Sequence, residues 1–241
     1  MVIKRFRFSR AINFRDMGGI FTDDGKMFGW NKIYRSDKFA GTKPEEWDIM
    51  RKQGIKTIID LRSESEVEVS SDETPDDFEY INFPVVEENL SFNNLESPAM
   101  QAFAQRVGKG YRNIVLSHGE NIAQIINLIA DKVDNGGVVF HCTSGKDRTG
   151  VIAAALYYMF GMCEEDIVAD YQTSYTYNKK ASDKFLEDFP QYEKYRSVVL
   201  SEAENMYELL DLYKKLDIEK YLIEKGMDKN KLEHLKKSVL E

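Results

Sequence analysis

The stretch His141-Cys142-Thr143-Ser144-Gly145-Lys146-Asp147-Arg148-Thr149-Gly150 gathers the most reactive side chains of this sequence into one short segment. It follows the apolar run Val138-Val139-Phe140 and leads into Thr149 to Phe160, which is apolar nearly all round. A tight polar loop between a buried strand and a buried helix is expected. Backbone N–H groups at a helix N-terminus point outward, and the helix dipole adds positive potential. Small residues let such a loop curl around a tetrahedral anion. A cysteine placed there is biased toward thiolate, and an arginine across the loop can grip two oxygens in a bidentate fork. The combination suits phosphoryl transfer to sulfur. Cys142 attacks phosphorus and forms a thiophosphate that water hydrolyses, while Arg148 and the N–H cradle stabilise the transition state. Thr149 can donate to the sulfur and ease its departure, and His141 is expected to hold the loop and tune Cys142 rather than transfer protons.

The plain alternative is a buried structural cysteine in a strand–helix turn. A Walker A loop is excluded, because Phe140 stands where its first glycine would be and Asp147 replaces the Ser/Thr. A metal site is poorly supported: His118 and His141 lack His or Cys partners at ligand spacing, and His234 lies in a charged helix.

Other elements must position this loop. Lys32–Arg35, Lys56–Arg62 and Phe78–Phe83 read as strands, the last stopped by Pro84. Asn13–Gly19 reads as a loop, since paired glycines allow positive φ. Thr42 with Glu45 predicts a capping box, with Pro44 in the first turn of a helix that runs to about Gln53. Ser97-Pro98 starts a helix, and Ser117 with Glu120 predicts a second capping box ahead of the face Ile122, Ile125, Ile126 and Ile129. Asn135-Gly136-Gly137 ends it, and the sequence after Glu164 reads as charged, Tyr-rich helices. Interleaved helix and strand signals predict an α/β fold. Without a linker or repeat, 1–241 reads as a single domain, with a motif-bearing core about 13–178 and a helical part about 179–241.

HCTSGKDRTG resembles the active-site signature of the cysteine-dependent tyrosine and dual-specificity phosphatases. The GKDR variant is similar to the atypical bacterial and fungal branch, which includes lipid-phosphatase-like enzymes. So are NFRDMGG at 13–19, YRSD at Tyr34–Asp37, IDLRS at Ile59–Ser63 and Asp170-Tyr171-Gln172-Thr173-Ser174. The resemblance implies a central, largely parallel sheet flanked by helices, with extra helices at the C-terminal end. It implies no metal and no organic cofactor. It also implies Cys142 as nucleophile, Arg148 as phosphate clamp, and Thr143, Ser144, Gly145, Lys146 and Asp147 as suppliers of backbone amides. The expected substrate is phosphotyrosine in proteins, with phosphoserine, phosphothreonine or phosphoinositides as alternatives.

The leaving oxygen needs a proton, which the wider superfamily often draws from a Trp-Pro-Asp motif. This chain has none; its nearest imitation is Phe83-Pro84-Val85, with Glu87 and Glu88 beyond. Because the resembled branch places an aspartate in the loop, Asp147 is the first choice, with neutralisation of Lys146 or Arg148 as its other reading. Asp60 is second, since it ends a strand expected beside the loop strand, where active sites gather; its other reading is a cap. Glu87 is third. Lys146 is either a second cation for substrates with more than one phosphate, or a partner of Asp147. The Arg15-Asp16 step before Gly-Gly suits bracing of the phosphate loop. Arg62 is read as an ion-pair former, and Asp16 stays open between the two roles. Tyr171, Tyr175 and Tyr177 cannot all share one helix face and are read as packing residues. Two readings outside phosphomonoester hydrolysis are a non-catalytic phosphate-binding module, against which the intact loop argues, and a sulfurtransferase. For the latter, Lys146, Arg148 and Thr149 suit a phosphate dianion better.

The chain has 241 residues, 42% apolar and 12% aromatic, enough for a real core. Its net charge of −8 argues against nucleic acid and anionic membranes as partners. Two cysteines, Cys142 and Cys163, make no disulfide framework and fit a reducing compartment; Cys163 reads as a buried hydrophobe. MVIKRFRFSR does not read as a signal peptide and no run reaches about 20 apolar residues. A cytoplasmic protein with no integral membrane segment is expected, secretion with a removed leader staying open.

Overall fold

The short β-branched and apolar runs become a five-stranded sheet in the computed structural model, which describes residues 3–89 and 96–241. The strands are β1 (Arg15–Asp16), β2 (Ile33–Ser36), β3 (Ile55–Asp60), β4 (Glu79–Asn82) and β5 (Gly137–His141). Their order is β1-β2-β5-β3-β4. Only β1 runs antiparallel, so the sheet is largely parallel, as expected. The helices in chain order are α1 (Pro44–Lys52), α2 (Glu64–Val69), α3 (Pro98–Gln105), α4 (Val107–Ser117), α5 (Gly119–Lys132), α6 (Asp147–Met159), α7 (Glu164–Asp188), α8 (Arg196–Val199), α9 (Ala203–Leu216), α10 (Ile218–Glu224) and α11 (Lys229–Val239).

Side-chain alternation along β5 divides the core into two. Val138 and Phe140 face the larger cluster, with Ile122, Ile126, Ile152, Leu156 and Leu209, while Val139 faces Phe14, Tyr34, Phe39 and Trp47. Helix α6 is buried on nearly every side, which accounts for its lack of a polar face. Parallel register sets Ser36, Asp60 and His141 level with one another, and Asn82 level with Asp60. The residues that leave these C-terminal strand ends therefore share one edge, where α/β sheets build their sites.

Local boundaries depart from expectation in places. Helix α1 is capped at Lys43, whose N–H donates to Glu46, so the capping box is one residue later than Thr42 and Glu45. Ser117 ends α4 instead of capping α5, which starts at Gly119. Ser97 does cap α3, accepting from the Met100 N–H. Residue 179, where the helical C-terminal part is expected to begin, lies within α7. Cys163, expected as a buried hydrophobe, is only half-buried, because it stands at the N-cap of α7. Among the described residues no helix is long and apolar enough to cross a membrane.

Candidate active site

Cys142 leaves the end of β5 and is 1% exposed. The following loop turns into α6 at Asp147, earlier than the Thr149 start read from the sequence. Gly145 makes the turn possible, with φ +67. A Cβ there would overlap the Ser36 carbonyl and lie 2.6 Å from the Asp37 nitrogen, so only glycine fits.

The loop carbonyls are tethered outward one after another. The Lys38 N–H donates to the Thr143 carbonyl at 3.4 Å. Asn13 and Asn178 both donate side-chain N–H to the Ser144 carbonyl, each at 2.9 Å. Arg35 donates to the Gly145 carbonyl at 2.9 Å. In a trans peptide the C=O and the next N–H point in opposite directions. The N–H groups of Ser144, Gly145 and Lys146 are thus turned away from these tethers. Behind the tethers stands Asp170 of α7, which holds Arg35 at 2.6 Å and Arg15 at 2.9 Å, all three buried. Burial alone would raise its pKa; the two guanidinium groups override that and hold it far below the carboxylate range. Arg15 also donates to the Asn13 side chain at 2.6 Å, and Asn13–Gly19, expected as a loop throughout, contains the short strand β1 because Arg15 and Asp16 pair with Arg35 and Tyr34.

Arg148 lies 3% exposed and forms a two-point pair with Glu66 of α2, Nη1 to Oε2 at 2.5 Å and Nη2 to Oε1 at 2.8 Å. Glu66 also accepts from the Thr143 hydroxyl at 2.7 Å and from Ser63, within the α2 capping box. Burial works against ionised Glu66, but the Arg148 hydrogen bonds and charge outweigh it and lower its pKa.

Beneath the loop, His141 is fully buried with Nε2 3.0 Å from Asp72 and 3.9 Å from Asp60. Burial disfavours the imidazolium, yet the two carboxylates prevail and raise its pKa. Asp60, Asp72 and His141 are the one trio of potential metal ligands that converges among the described residues. Arg62 already bridges both carboxylates, at 2.5 and 3.0 Å, so the cluster is an ion-pair network centred on a guanidinium. Asp60, the second choice as source of the leaving-group proton, lies inside this network. It is fully buried, accepts from Arg62 and Tyr80, and has a lowered pKa because His141 and Arg62 override its burial. Arg62 is the ion-pair former expected. Glu87 is exposed beyond β4, just past the buried Val85 and Val86. Asp16 caps the neighbouring turn, accepting from the Gly18 and Asn31 N–H groups, with its pKa pushed up to about 6 by burial.

Asp147 presents its side chain at the first turn of α6, with Oδ1 accepting from the Tyr111 hydroxyl at 2.7 Å and lying 3.2 Å from Lys146 Nζ. Lys146 is 2% exposed and donates to the carbonyls of Val198 and Leu200, the latter at 2.9 Å, so its ammonium is engaged by the end of α8. Its 3.2 Å approach to Asp147 is the pairing that the other reading of Lys146 expects. The Thr149 hydroxyl is buried and has no hydrogen-bond partner among the described residues. A cavity of about 430 Å³ opens beside the loop, lined by Thr143, Ser144, Lys146, Asp37, Asn178 and Phe185 among others.

The model of the tyrosine phosphatase family matches residues 6–241. The chain belongs to that family. It is 28% identical over 176 residues to a protein of Cupriavidus necator that carries a provisional tyrosine-protein phosphatase name, covering 69% of this chain and 62% of that one. It is 32% identical over 133 residues to a tyrosine-protein phosphatase of Nostoc commune, covering 54% and 44%. The chain thus spans roughly half the length of these relatives. Among solved structures it is similar to the Siw14 catalytic core, at TM-score 0.42 and 12% identity over 89% of this chain and 97% of that one. It is also similar to TpbA of P. aeruginosa, at TM-score 0.35 and 13% identity over 58% and 68%.

Several residues around this family's loop escape a linear reading. Glu66 carried a local signal, since Ser63-Glu64-Ser65-Glu66 has capping-box spacing, but nothing local pairs it with Arg148. Asn13, Arg35 and Asp170 sit inside the quoted motifs without revealing that they share one loop. Asn178, Tyr111 and Asp72 carry no motif. Tyr171, read as packing, joins the polar network, its hydroxyl 2.7 Å from that of Tyr111. Tyr177 instead stacks on the Arg5 guanidinium at 3.6 Å.

Proposed function

We propose that this chain hydrolyses phosphate monoesters through a covalent thiophosphate on Cys142, with phosphotyrosine in proteins as the substrate. The observation that carries this reading is the outward tethering of three successive loop carbonyls, which leaves the facing amides available to one tetrahedral anion. In the proposed cycle the Cys142 sulfur attacks phosphorus, the S–P bond forms and the ester P–O bond breaks. The leaving oxygen takes a proton from Asp147. Water then attacks the thiophosphate, Asp147 takes up its proton, the S–P bond breaks and phosphate departs. Arg148, aligned by Glu66, stabilises the equatorial oxygens, and the Thr149 hydroxyl supports the departing sulfur. Engagement of Lys146 by the α8 carbonyls favours a substrate with one phosphate over a phosphoinositide.

The test is phosphate release, with EDTA present, from phosphotyrosine, phosphoserine and phosphothreonine peptides and short-chain phosphoinositides. Wild type is compared with Cys142→Ser and Arg148→Ala. Release that survives EDTA, vanishes in both variants and is fastest on phosphotyrosine is expected. Binding of vanadate without turnover of any substrate would move the chain to the non-catalytic phosphate-binding reading.

A further inference from the structure

Resting on the proposed role of Asp147 as proton donor, we infer that Tyr111 is a positioning residue for that proton transfer, held in place by Tyr171. Tyr111 stands on α4 and Tyr171 on α7, and both are buried. The Tyr111 hydroxyl is 2.7 Å from Asp147 Oδ1 and 2.7 Å from the Tyr171 hydroxyl. A phenol has one proton to donate. Tyr111 gives its proton to Asp147, so Tyr171 donates to Tyr111 and fixes the direction of the chain. Burial first, and the Asp147 charge second, raise the Tyr111 pKa well above its usual value, so it remains a donor throughout the working pH range.

The geometry has a stereochemical consequence. Asp147 Oδ1 faces two donors, the Tyr111 hydroxyl at 2.7 Å and the Lys146 ammonium at 3.2 Å. A proton added to this carboxyl therefore resides on Oδ2. The tyrosine pair selects which oxygen carries the transferable proton and holds the carboxyl in one rotamer while it moves. In the first step the proton passes from Oδ2 to the leaving oxygen as the P–O bond breaks; in the second, water returns a proton to the same oxygen. The two rings meet edge to face, with centroids 5.9 Å apart, so the pair is rigid as well as bonded.

The experiment uses the full chain and a series of aryl phosphates that runs from good to poor leaving groups. The quantity read is kcat/KM, which covers events up to thiophosphate formation. Proton donation matters most for the poor leaving group. Tyr111→Phe is expected to lower kcat/KM about tenfold on phenyl phosphate and to leave a nitro-substituted aryl phosphate within about twofold, which steepens the leaving-group dependence. Asp147→Asn should steepen it further, and Tyr111→Phe added to Asp147→Asn should have no additional effect. Tyr171→Phe should give a smaller effect in the same direction. Thermal melting of each variant reports folding separately. An equal loss on all leaving groups in Tyr111→Phe, or no loss, overturns the positioning role. If Asp147→Asn itself shows no leaving-group selectivity, the proton-donor role of Asp147 fails too; selectivity in Asp147→Asn alone isolates the failure to Tyr111.

Discussion

The Arg148 guanidinium and the Glu66 carboxylate meet fork to fork, at 2.5 and 2.8 Å, across 82 residues of sequence. Both are buried, so each depends on the other for its charge. Removing one partner of a buried pair costs about 3–5 kcal/mol, because the other charge is left uncompensated. Glu66→Gln should therefore melt well below wild type. An oxyanion in the loop would then supply the missing charge, so tungstate should raise the melting temperature of the variant more than that of wild type. Equal shifts would show that Glu66 and a bound oxyanion do not share Arg148.

Asp170 tethers Arg15 and Arg35, and through Arg35 the Gly145 carbonyl. Its pKa is depressed on folding, so its contribution is complete above the unfolded value near 4 and is lost as pH falls through the folded value. Asp170→Asn should cost about 3–5 kcal/mol at pH 7 and distinctly less at pH 3. Denaturant titrations at the two pH values check this; a cost independent of pH would mean that the charge of Asp170 is not what holds the arginines.

Asp37 accepts from the Ile12 and Asn13 N–H groups, yet burial dominates and pushes its pKa up to about 7. The sign is opposite to that of Asp170. The folded protein holds the proton more tightly, so the contribution of Asp37 is complete below about pH 4 and fades as pH rises through about 7. Asp37→Asn removes that dependence. The melting temperature of the variant minus that of wild type should climb from pH 4 to pH 8 and then level off. A flat difference over that range would mean that native Asp37 titrates like a free carboxyl.

The placement of Lys146 bears on the proposed preference for one phosphate over several. With its ammonium on the Val198 and Leu200 carbonyls, Lys146→Met should loosen the segment at the end of α8 and speed its cleavage under limited proteolysis. Turnover of phosphotyrosine peptide and of phosphoinositide should change by similar factors, within about threefold of each other. A loss confined to substrates with several phosphates, tenfold or more, would restore Lys146 as a second cation.

The make-up of the loop and its place between a strand and a helix were legible because the loop is contiguous. His141 to Gly150 lie next to one another in the sequence, and the flanking apolar runs identify the strand and helix that present them. The parallel strands were legible for the same reason, since short β-branched runs bounded by turn residues are local patterns. Helix starts near Thr42 and Ser117 were misplaced by a residue or two because several neighbouring side chains can cap, and packing selects among them.

Pairing of charges was decided by tertiary structure alone. With 41 acidic and 33 basic residues, the linear order does not say which carboxylate meets which guanidinium. Burial makes the choice, because a charge removed from water must find a partner among the groups that the sheet and helices carry to the same place. Thus Glu66 reached Arg148, Asp170 reached Arg15 and Arg35, and Asp60 reached Arg62. The sequence determined what the loop contains; the packing around it determined which oxygen, nitrogen and hydroxyl each of its groups faces.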